Sequence, residues 1–456
     1  MARAREASRR PPCDVIGEGA TVADTSAAHE AGASDGAGPS IRILLLLSLP
    51  ALAIGVVSAL VLWLLDWVSD QLRTGLWDAL PHAMGIGSSN PWWIMTVLTV
   101  TGFAVGLVVW LMPGHGGPDS ATTGLSSPPP PIGTLPSILV VVVIGLAGGV
   151  SLGPENPIIA INSALAVFAL GRFSRIPPAL AMMLAMSATI GALFGTPVAA
   201  ALVLTGAVAA IKGGGSLWDK LFLPVAAAAA GSLTMHLLGG QSLAFHLPPY
   251  GTPHAIDFVT GVLVAALSAV IGVAAAFVFP YLHAGFHALR NPLLMTTFGG
   301  LLLGALGVLG GPLTLFKGLE QTGELLEHPG EYSAATLAVF AGVKIVALLV
   351  AASAGFRGGR VFPIVFVGVA IGLFAHAIIP GMPLGLAVAC GAMGVVMAET
   401  RDGWIALFLG VALTGDITLL PMLCVITLPT WLIVTKAPPF EIAAKNEGLT
   451  APPAAG

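Results

Sequence analysis

One carboxylate is isolated from all other charge in a long apolar part of the sequence. Glu155 is the sole charged side chain between Asp119 and Arg172. A carboxylate at membrane depth costs several kcal/mol unless it is paired, hydrated or protonated, so an acid in such a place indicates a functional site. The alternative is an ordinary acid at the start of a helix in a surface loop.

The segment around Glu155 indicates what this acid could do. The letters GPENP at 153–157 precede an apolar run and are typical of a helix start. The N-terminus of a helix offers free N–H groups and the positive end of the helix dipole, and both attract negative charge. They could bind an anion from solution or the Glu155 carboxylate in its place. Competition between the two predicts a gate that opens when the carboxylate is protonated or displaced.

The composition predicts that the elements positioning this acid are membrane helices. Of the 456 residues, 56% are hydrophobic and 9% are charged, and the net charge is −4. The mean hydropathy is +0.93, whereas soluble proteins contain about 25% charged residues. These values exclude a soluble enzyme, a nucleic-acid binder and a disordered scaffold. The three cysteines are scattered, and no disulfide framework, metal site or cofactor is predicted. We expect an all-α polytopic membrane protein.

The apolar blocks are uneven in length. They cover about 43–66, 92–112, 135–152, 177–211, 218–238, 255–286, 294–310, 333–354, 361–379, 384–398 and 404–435. Blocks near 156–171 and 404–415 are too short to cross a bilayer, which takes about 20 helical residues. Such partial helices are tolerated where they line a cavity, and secondary transporters aim their ends at a central ion site. The stretches 114–211 and 344–435 each contain a Gly- and Pro-rich segment followed by apolar helices, which favours two inverted repeats of broken helices.

The two ends of the chain differ from the apolar part. Residues 1–40 are polar and lack an apolar period, which predicts a disordered tail. A transmembrane domain is predicted over 41–436, followed by a short tail over 437–456. Four arginines in the first tail, with Arg42 beside the first apolar block, favour a cytoplasmic N-terminus in the cell membrane. The C-terminus is expected on the same side.

Three segments resemble the CLC family of chloride channels and chloride/proton exchangers, in the family's order and spacing. GPENP at 153–157 is similar to the motif G-x-E-G-P, whose glutamate gates the anion path. Lys344, fourteen residues before the glycines at 358–359, and a proline four residues later resemble the segment K…S-G…G-G-x-F-x-P. TGDITLLPM at 414–422 resembles the T-x-x-x-x-x-L-P-M stretch before the last span. The resemblance covers about 41–445 and implies a CLC-like inverted repeat of tilted and broken helices.

This resemblance implies which groups hold the anion. Glu155 matches the gate, and the backbone amides around Asn156, Val361 and Phe362 face the anion. Counted from Pro363, the amides of Arg360 and Val361 are those that the resemblance directs at the anion. The Arg360 side chain opposes the helix dipole and needs a partner, so we expect it to line a vestibule that attracts anions. The alternative is an arginine at a lipid headgroup or in a cytoplasmic loop.

Both side chains that coordinate the anion in the family are replaced. His115 and Gly116 lie in the segment GHGGP, which matches the family's G-S-G-I-P loop, and the histidine stands where the family has serine. Imidazole can still donate a hydrogen bond to an anion, or His115 could simply cap the following short helix. Phe440 matches the family's tyrosine after the last span and lacks its hydroxyl. It lines the site weakly or is a plain interfacial phenylalanine.

A further departure concerns protons. Exchangers of this family commonly carry a second, inner acid, and the matching positions here are Gly206 and Ala207. No carboxylate lies between Arg175 and Lys212, which weakens the exchanger hypothesis and favours a passive channel without deciding between them. Glu399, near the end of an apolar block, is expected in a solvated loop.

Transport of chloride or another halide or small anion, with or without protons, is the leading hypothesis. An enzyme is disfavoured because no clustered catalytic groups accompany Glu155. A cation-coupled carrier of organic solutes is disfavoured because helix N-termini and His115 suit negative charge. The family resemblance also implies a homodimer in the lipid bilayer, with one pathway in each subunit.

Overall fold

The computed structural model describes residues 41–442, except 126, 174–175, 210–215, 241–242 and 246. The predicted tail at 1–40 and residues 443–456 of the other tail lie outside the described residues.

The described chain is built from α-helices joined by turns. The helices are α1 Ile41–Thr74, α2 Pro91–Leu111, α3 Leu135–Ala147, α4 Glu155–Phe173, α5 Pro178–Phe194, α6 Pro197–Ala209, α7 Leu217–Leu237, α8 Ala255–His287, α9 Pro292–Gly310, α10 Leu319–Glu327, α11 Ala334–Ser353, α12 Val361–Ile378, α13 Leu384–Thr400, α14 Gly403–Thr414 and α15 Leu420–Val434. After α1 the chain continues through a π-helical turn at Gly75–Ala79 and a last turn at Leu80–Ala83.

Many of these helices are suited to a lipid environment. Within the described ranges, eight helical segments are long and apolar enough to cross a membrane, and five shorter apolar helices accompany them. Large apolar side chains point outward, as Leu45, Trp92 and Leu432 do. A hydrophobic outer surface of this extent is stable in lipid and not in water.

Two of the predicted apolar blocks each contain two helices. The block at 177–211 breaks after Gly195, with φ +71°, and the block at 404–435 breaks after Gly415, with φ +65°. This left-handed conformation is open to glycine without steric penalty and commonly ends a helix. The resulting helices α5, α6 and α14 are shorter than a bilayer requires.

Small residues let the helices approach closely. A Cβ atom at Gly102 in α2 would overlap the carbonyl of Thr296 in α9, and one at Gly300 in α9 would overlap the carbonyl of Leu98 in α2. Close backbone approach through small residues is the usual mode of helix packing in membranes.

Helix α12 forms the centre of the molecule. Nearly all of its side chains are buried, because α11 and α13 pack along it. A helix that is apolar on all sides belongs in such a position. The N-terminus of α12 meets the loop that leads into α4, so the equivalent segments of the two repeats lie side by side. The site is built at that contact.

Candidate functional site

Glu155 lies where the two repeats meet. Antiparallel backbone hydrogen bonds join Gly153 and Gly359, with N–O distances of 2.8 and 2.6 Å. This pairing brings the start of α4 against the start of α12. The Glu155 side chain is fully buried, and its Oε1 accepts a hydrogen bond of 2.7 Å from the backbone N–H of Phe362. The carboxylate of one repeat therefore occupies the helix N-terminus of the other.

The two paired glycines make room for the carboxylate. A Cβ atom at either Gly153 or Gly359 would overlap the Glu155 carboxylate. The second oxygen, Oε2, has no hydrogen-bond partner among the described groups. The carboxylate is thus held by one strong contact, and the helix-dipole field of α12 adds to it.

A large cavity adjoins the residues that follow Glu155. Its volume is about 360 Å³. The predicted site residues that line it are Asn156, Arg360, Val361 and Phe440. The Asn156 side chain donates to the carbonyl of Thr123 at 3.1 Å, which leaves its backbone amide in the first turn of α4.

A smaller cavity adjoins the residues on the other side of Glu155. Pro154 and Phe362 line it, together with Asp66 and Lys317. The Lys317 ammonium lies 3.4 Å from Asp66 Oδ1. The two cavities have no lining residue in common. Glu155 therefore stands between two separate spaces, each with a cationic side chain in its wall.

Arg360 is buried in an ion pair, so the alternative of an arginine at a lipid headgroup or in a cytoplasmic loop is wrong. Its Nε lies 3.0 Å from Glu399 Oε1, and Nη1 donates to the carbonyl of Ser120. Its guanidinium also lies over the ring of Phe440, 5.9 Å from the centroid. The expectation that Glu399 belongs to a solvated loop is likewise wrong, because it lies buried in the last turn of α13.

Phe440 lies inside the protein and not at its interface. Its side chain is 1% exposed and stacks on Phe279 of α8 with ring centroids 5.2 Å apart. The ring covers one face of the Arg360 guanidinium and borders the large cavity.

His115 is not brought to the cavities that flank Glu155. It is exposed, has φ +50°, and its Nδ1 lies 2.9 Å from the carbonyl of Val109. Among the described residues that line those two cavities, neither His115 nor Gly116 is present. The amide of Gly116 donates to Ser137 Oγ at 3.2 Å, and Gly116 lines a separate small cavity with Asn156 and Ser120.

Ser120 is a residue that sequence reasoning missed. Its hydroxyl donates to the carbonyl of Phe356 at 2.7 Å and accepts from the amide of Gly358 at 2.8 Å. These bonds fix the loop before α12 against the Gly-rich segment. The position of Ser120 four residues after Gly116 was the available signal, but many residues of this loop are equally polar.

Lys344 has a structural role. The ammonium is fully buried and donates to the carbonyls of Thr314, Leu315 and Phe316 at 3.1, 2.9 and 2.7 Å. All three donors of the ammonium are used, which is what a buried lysine requires. It fastens α11 to the turn before α10.

Comparison with known proteins identifies the family. The model of the voltage gated chloride channel family matches residues 97–434. This chain belongs to the CLC family. The CLC relative named ion-transport protein YfeO in Escherichia fergusonii is 45% identical over 406 residues, which cover 88% of this chain and 96% of the relative. The YfeO of Escherichia coli O1:K1 is 45% identical over 415 residues, covering 90% and 98%.

Solved CLC structures share the fold. A CLC-type fluoride/proton antiporter matches with a TM-score of 0.69 at 19% identity, covering 89% of this chain and all of that one. A slow cyanobacterial Cl⁻/H⁺ antiporter matches with a TM-score of 0.73 at 16% identity, covering 86% and 96%. The predicted family and the predicted all-helical CLC-like fold are confirmed. CLC proteins are channels or transporters and not enzymes, and this one is a multi-pass membrane protein.

Proposed function

We propose that this protein carries chloride or another small anion across the cell membrane through a pathway gated by Glu155. The observation that carries the proposal is the buried Glu155 carboxylate, which accepts the Phe362 amide at 2.7 Å. A carboxylate oxygen in that position takes the place of a permeating anion. Helix N-termini bind external anions and internal carboxylates through the same N–H groups.

The gate follows from competition for the α12 N-terminus. While Glu155 is charged, it holds the position and separates the large cavity from the small one. Protonation removes the charge that the amide and the helix dipole attract. The side chain then leaves, and an anion takes its place beside the amides of Asn156, Val361 and Phe362.

The approach to this position is electropositive. Arg360 lines the large cavity and Lys317 lines the small one, so an anion meets a cation on each side. Glu399 pairs with Arg360 and Asp66 pairs with Lys317, and these acids weaken the positive potential. A weaker potential favours passage of the anion over its tight binding. Phe440 presents an aromatic edge without a hydroxyl to the pathway. His115 and Gly116 stabilise their own loop through hydrogen bonds and do not contact the anion.

Transport is proposed to be coupled to protons. The solved structures of similar fold are described as fluoride/proton and Cl⁻/H⁺ antiporters. Gly206 stands where an inner acid is expected, but Glu399 lines the same cavity as Gly206. We infer that Glu399 takes part in the inner proton step at that cavity, where the Arg360 guanidinium holds its carboxylate at 3.0 Å. The family resemblance further favours a homodimer with both termini in the cytoplasm.

The decisive experiment uses Glu155→Gln in liposomes loaded with chloride, fluoride or nitrate. Glutamine is a neutral mimic of the protonated gate, and a hydrogen bond to a charged group is worth about 1.5–3 kcal/mol. Anion efflux at pH 7 is therefore expected to rise about tenfold or more, with loss of its pH dependence and of proton movement. The matched control is Glu327→Gln, which alters an exposed acid at the end of α10. Unchanged efflux and coupling in Glu155→Gln would remove Glu155 from the mechanism.

A further inference from the structure

Three potential metal ligands converge at one end of α8, outside the Glu155 site. Asp119 Oδ2 lies 3.2 Å from His283 Nε2 and 3.3 Å from His287 Nε2. One ligand atom from each of the three residues lies within 4.8 Å of the others. The side chains are 18%, 15% and 40% exposed in that order, so the cluster is sheltered but reachable from water.

The helix fixes the two histidines for joint binding. His283 and His287 are four residues apart, so they lie on one face of α8 in adjacent turns. Their rings stack with centroids 3.7 Å apart. Helix α8 has 33 residues and is about 50 Å long, well beyond the hydrocarbon thickness of about 30 Å. Its last turn thus reaches the aqueous boundary.

The hydrogen bonding of His287 directs its Nε2 at the carboxylate. Its Nδ1 lies 3.0 Å from the carbonyl of His283, and because a carbonyl only accepts, Nδ1 carries the hydrogen. In the neutral ring Nε2 is then an acceptor, yet it faces another acceptor, Asp119 Oδ2, at 3.3 Å. A metal ion between the two atoms removes this conflict, as does a second proton on the imidazole ring. Metal-binding histidines commonly use their other nitrogen in this way.

Arg357 lies beside the Asp119 carboxylate but contacts a different oxygen from the one that faces the histidines. Its Nη1 lies 3.6 Å from Asp119 Oδ1, which also accepts a hydrogen bond from the Ala121 amide at 3.1 Å, whereas the histidines contact Oδ2. The guanidinium therefore orients the carboxylate, and Oδ2 remains directed at both imidazole rings.

We propose that Asp119, His283 and His287 bind one divalent transition-metal ion of the Zn²⁺ class. Ligand atoms in a tetrahedral site with bonds of about 2.0–2.1 Å lie about 3.3–3.4 Å apart, which matches the two distances from Oδ2. Two imidazoles and one carboxylate suit zinc and its neighbours, whereas calcium and magnesium prefer oxygen ligands. Three protein ligands leave the fourth position for water.

The bound ion would join three parts of the chain. Asp119 directly precedes Ser120. The Ser120 hydroxyl accepts a hydrogen bond from the Gly358 amide, and its carbonyl accepts one from the Arg360 guanidinium. Arg357 lies in the loop before α12. The metal therefore ties the end of α8 to the loops that border the large cavity. Metal binding does not require anion transport, so it can be tested independently of the proposed function.

The test is Zn²⁺ titration of the purified full-length protein by calorimetry after treatment with a chelator. We expect one ion per chain. Loss of a partner that merely orients a ligand weakens metal binding by about 10- to 100-fold, so His287→Gln and Asp119→Asn are expected to weaken it by about 100-fold or more. His254→Gln is the matched control, because His254, the N-cap residue of the same helix, lies 3.7 Å from Asp257 without a second histidine beside it.

A second measurement does not depend on variants. X-ray absorption at the zinc edge of the unaltered protein is expected to show two imidazole nitrogens and one or two oxygens. A shell of oxygens alone, equal Zn²⁺ affinity in His287→Gln and the unaltered protein, or an effect confined to His254→Gln would each overturn the proposal. The three groups would then be a proton-linked ion pair only.

Discussion

At the scale of single residues, one glycine decides whether the Glu155 carboxylate can reach its hydrogen-bond donor. A methyl group at Gly359 would overlap Oε2, so Gly359→Ala is expected to push the carboxylate away from the Phe362 amide. This displacement breaks a charge-assisted hydrogen bond worth about 1.5–3 kcal/mol. Anion efflux from liposomes at pH 7 is expected to rise about tenfold, approaching the rate of Glu155→Gln.

The control for this substitution is Gly342→Ala in α11, where a Cβ atom meets nothing within 4 Å. It is expected to leave efflux unchanged. The double variant Glu155→Gln with Gly359→Ala should be no faster than Glu155→Gln alone, because both changes remove one interaction. Additive effects would mean that Gly359 acts on transport by another route.

Some residues of the site could be predicted from the sequence and others could not, for physical reasons. Glu155 could be found because an isolated charge among apolar residues is costly. The pairing of Arg360 with Glu399 could not, because they are 39 residues apart and only the packing of α12 on α13 joins them. His115 was placed by motif alone, and its backbone turns it outward. The spacing of His283 and His287 was visible, but no metal site was predicted because Asp119 lies 164 residues away.

At the scale of elements, one aspartate fastens the break between α14 and α15. Asp416 accepts hydrogen bonds from Thr418 Oγ1 at 2.6 Å, from the Tyr250 amide at 2.8 Å and from the Thr418 amide at 2.9 Å. The hydrogen bond from the Thr418 side chain lowers the pKa of Asp416 most, and the two backbone hydrogen bonds lower it further. A group whose pKa is lower in the folded state stabilises the fold above its unfolded pKa of about 3.9. That stability is lost as the pH falls through the folded value.

Asp416→Asn keeps an acceptor but removes the charge, and it is expected to lower the free energy of unfolding by about 1 kcal/mol at pH 7, because hydrogen bonds to a charged group are roughly twice as strong as neutral ones. The difference between variant and unaltered protein should shrink below about pH 4. Thermal unfolding in detergent across a pH series measures both effects. Asp78→Asn, at an exposed acid in the π-helical turn, is the control and should shift neither. A difference that persists unchanged in acid would contradict the role of the charge.

The helices were predicted well where polarity changes at their ends and poorly elsewhere. The apolar block at 92–112 closely matches α2. The block at 43–66 stops short of the end of α1 because acidic and basic residues follow it. The helix nevertheless continues, since Arg73 pairs with Glu320 at 2.6 Å and Asp66 with Lys317.

At the scale of the whole molecule, the proposed mechanism makes the coupling of anion to proton movement depend on Glu399, an acid in the large cavity. Glu399→Gln is expected to abolish proton movement in liposomes with a chloride gradient while anion efflux stays within about twofold, because glutamine still accepts a hydrogen bond from Arg360. Glu441→Gln, at an exposed acid lining the same cavity, should keep both fluxes. Proton movement that survives in Glu399→Gln would assign the inner proton step to another group.

The pairing of Gly153 with Gly359 has a consequence for how the site is assembled during folding. The carboxylate belongs to the first repeat and the amide that receives it to the second, so neither half alone contains a complete binding position. A single repeat would present either a carboxylate without its amide or an amide without its carboxylate. Both repeats must therefore be folded against each other before the position exists, so a fault in either one removes it completely.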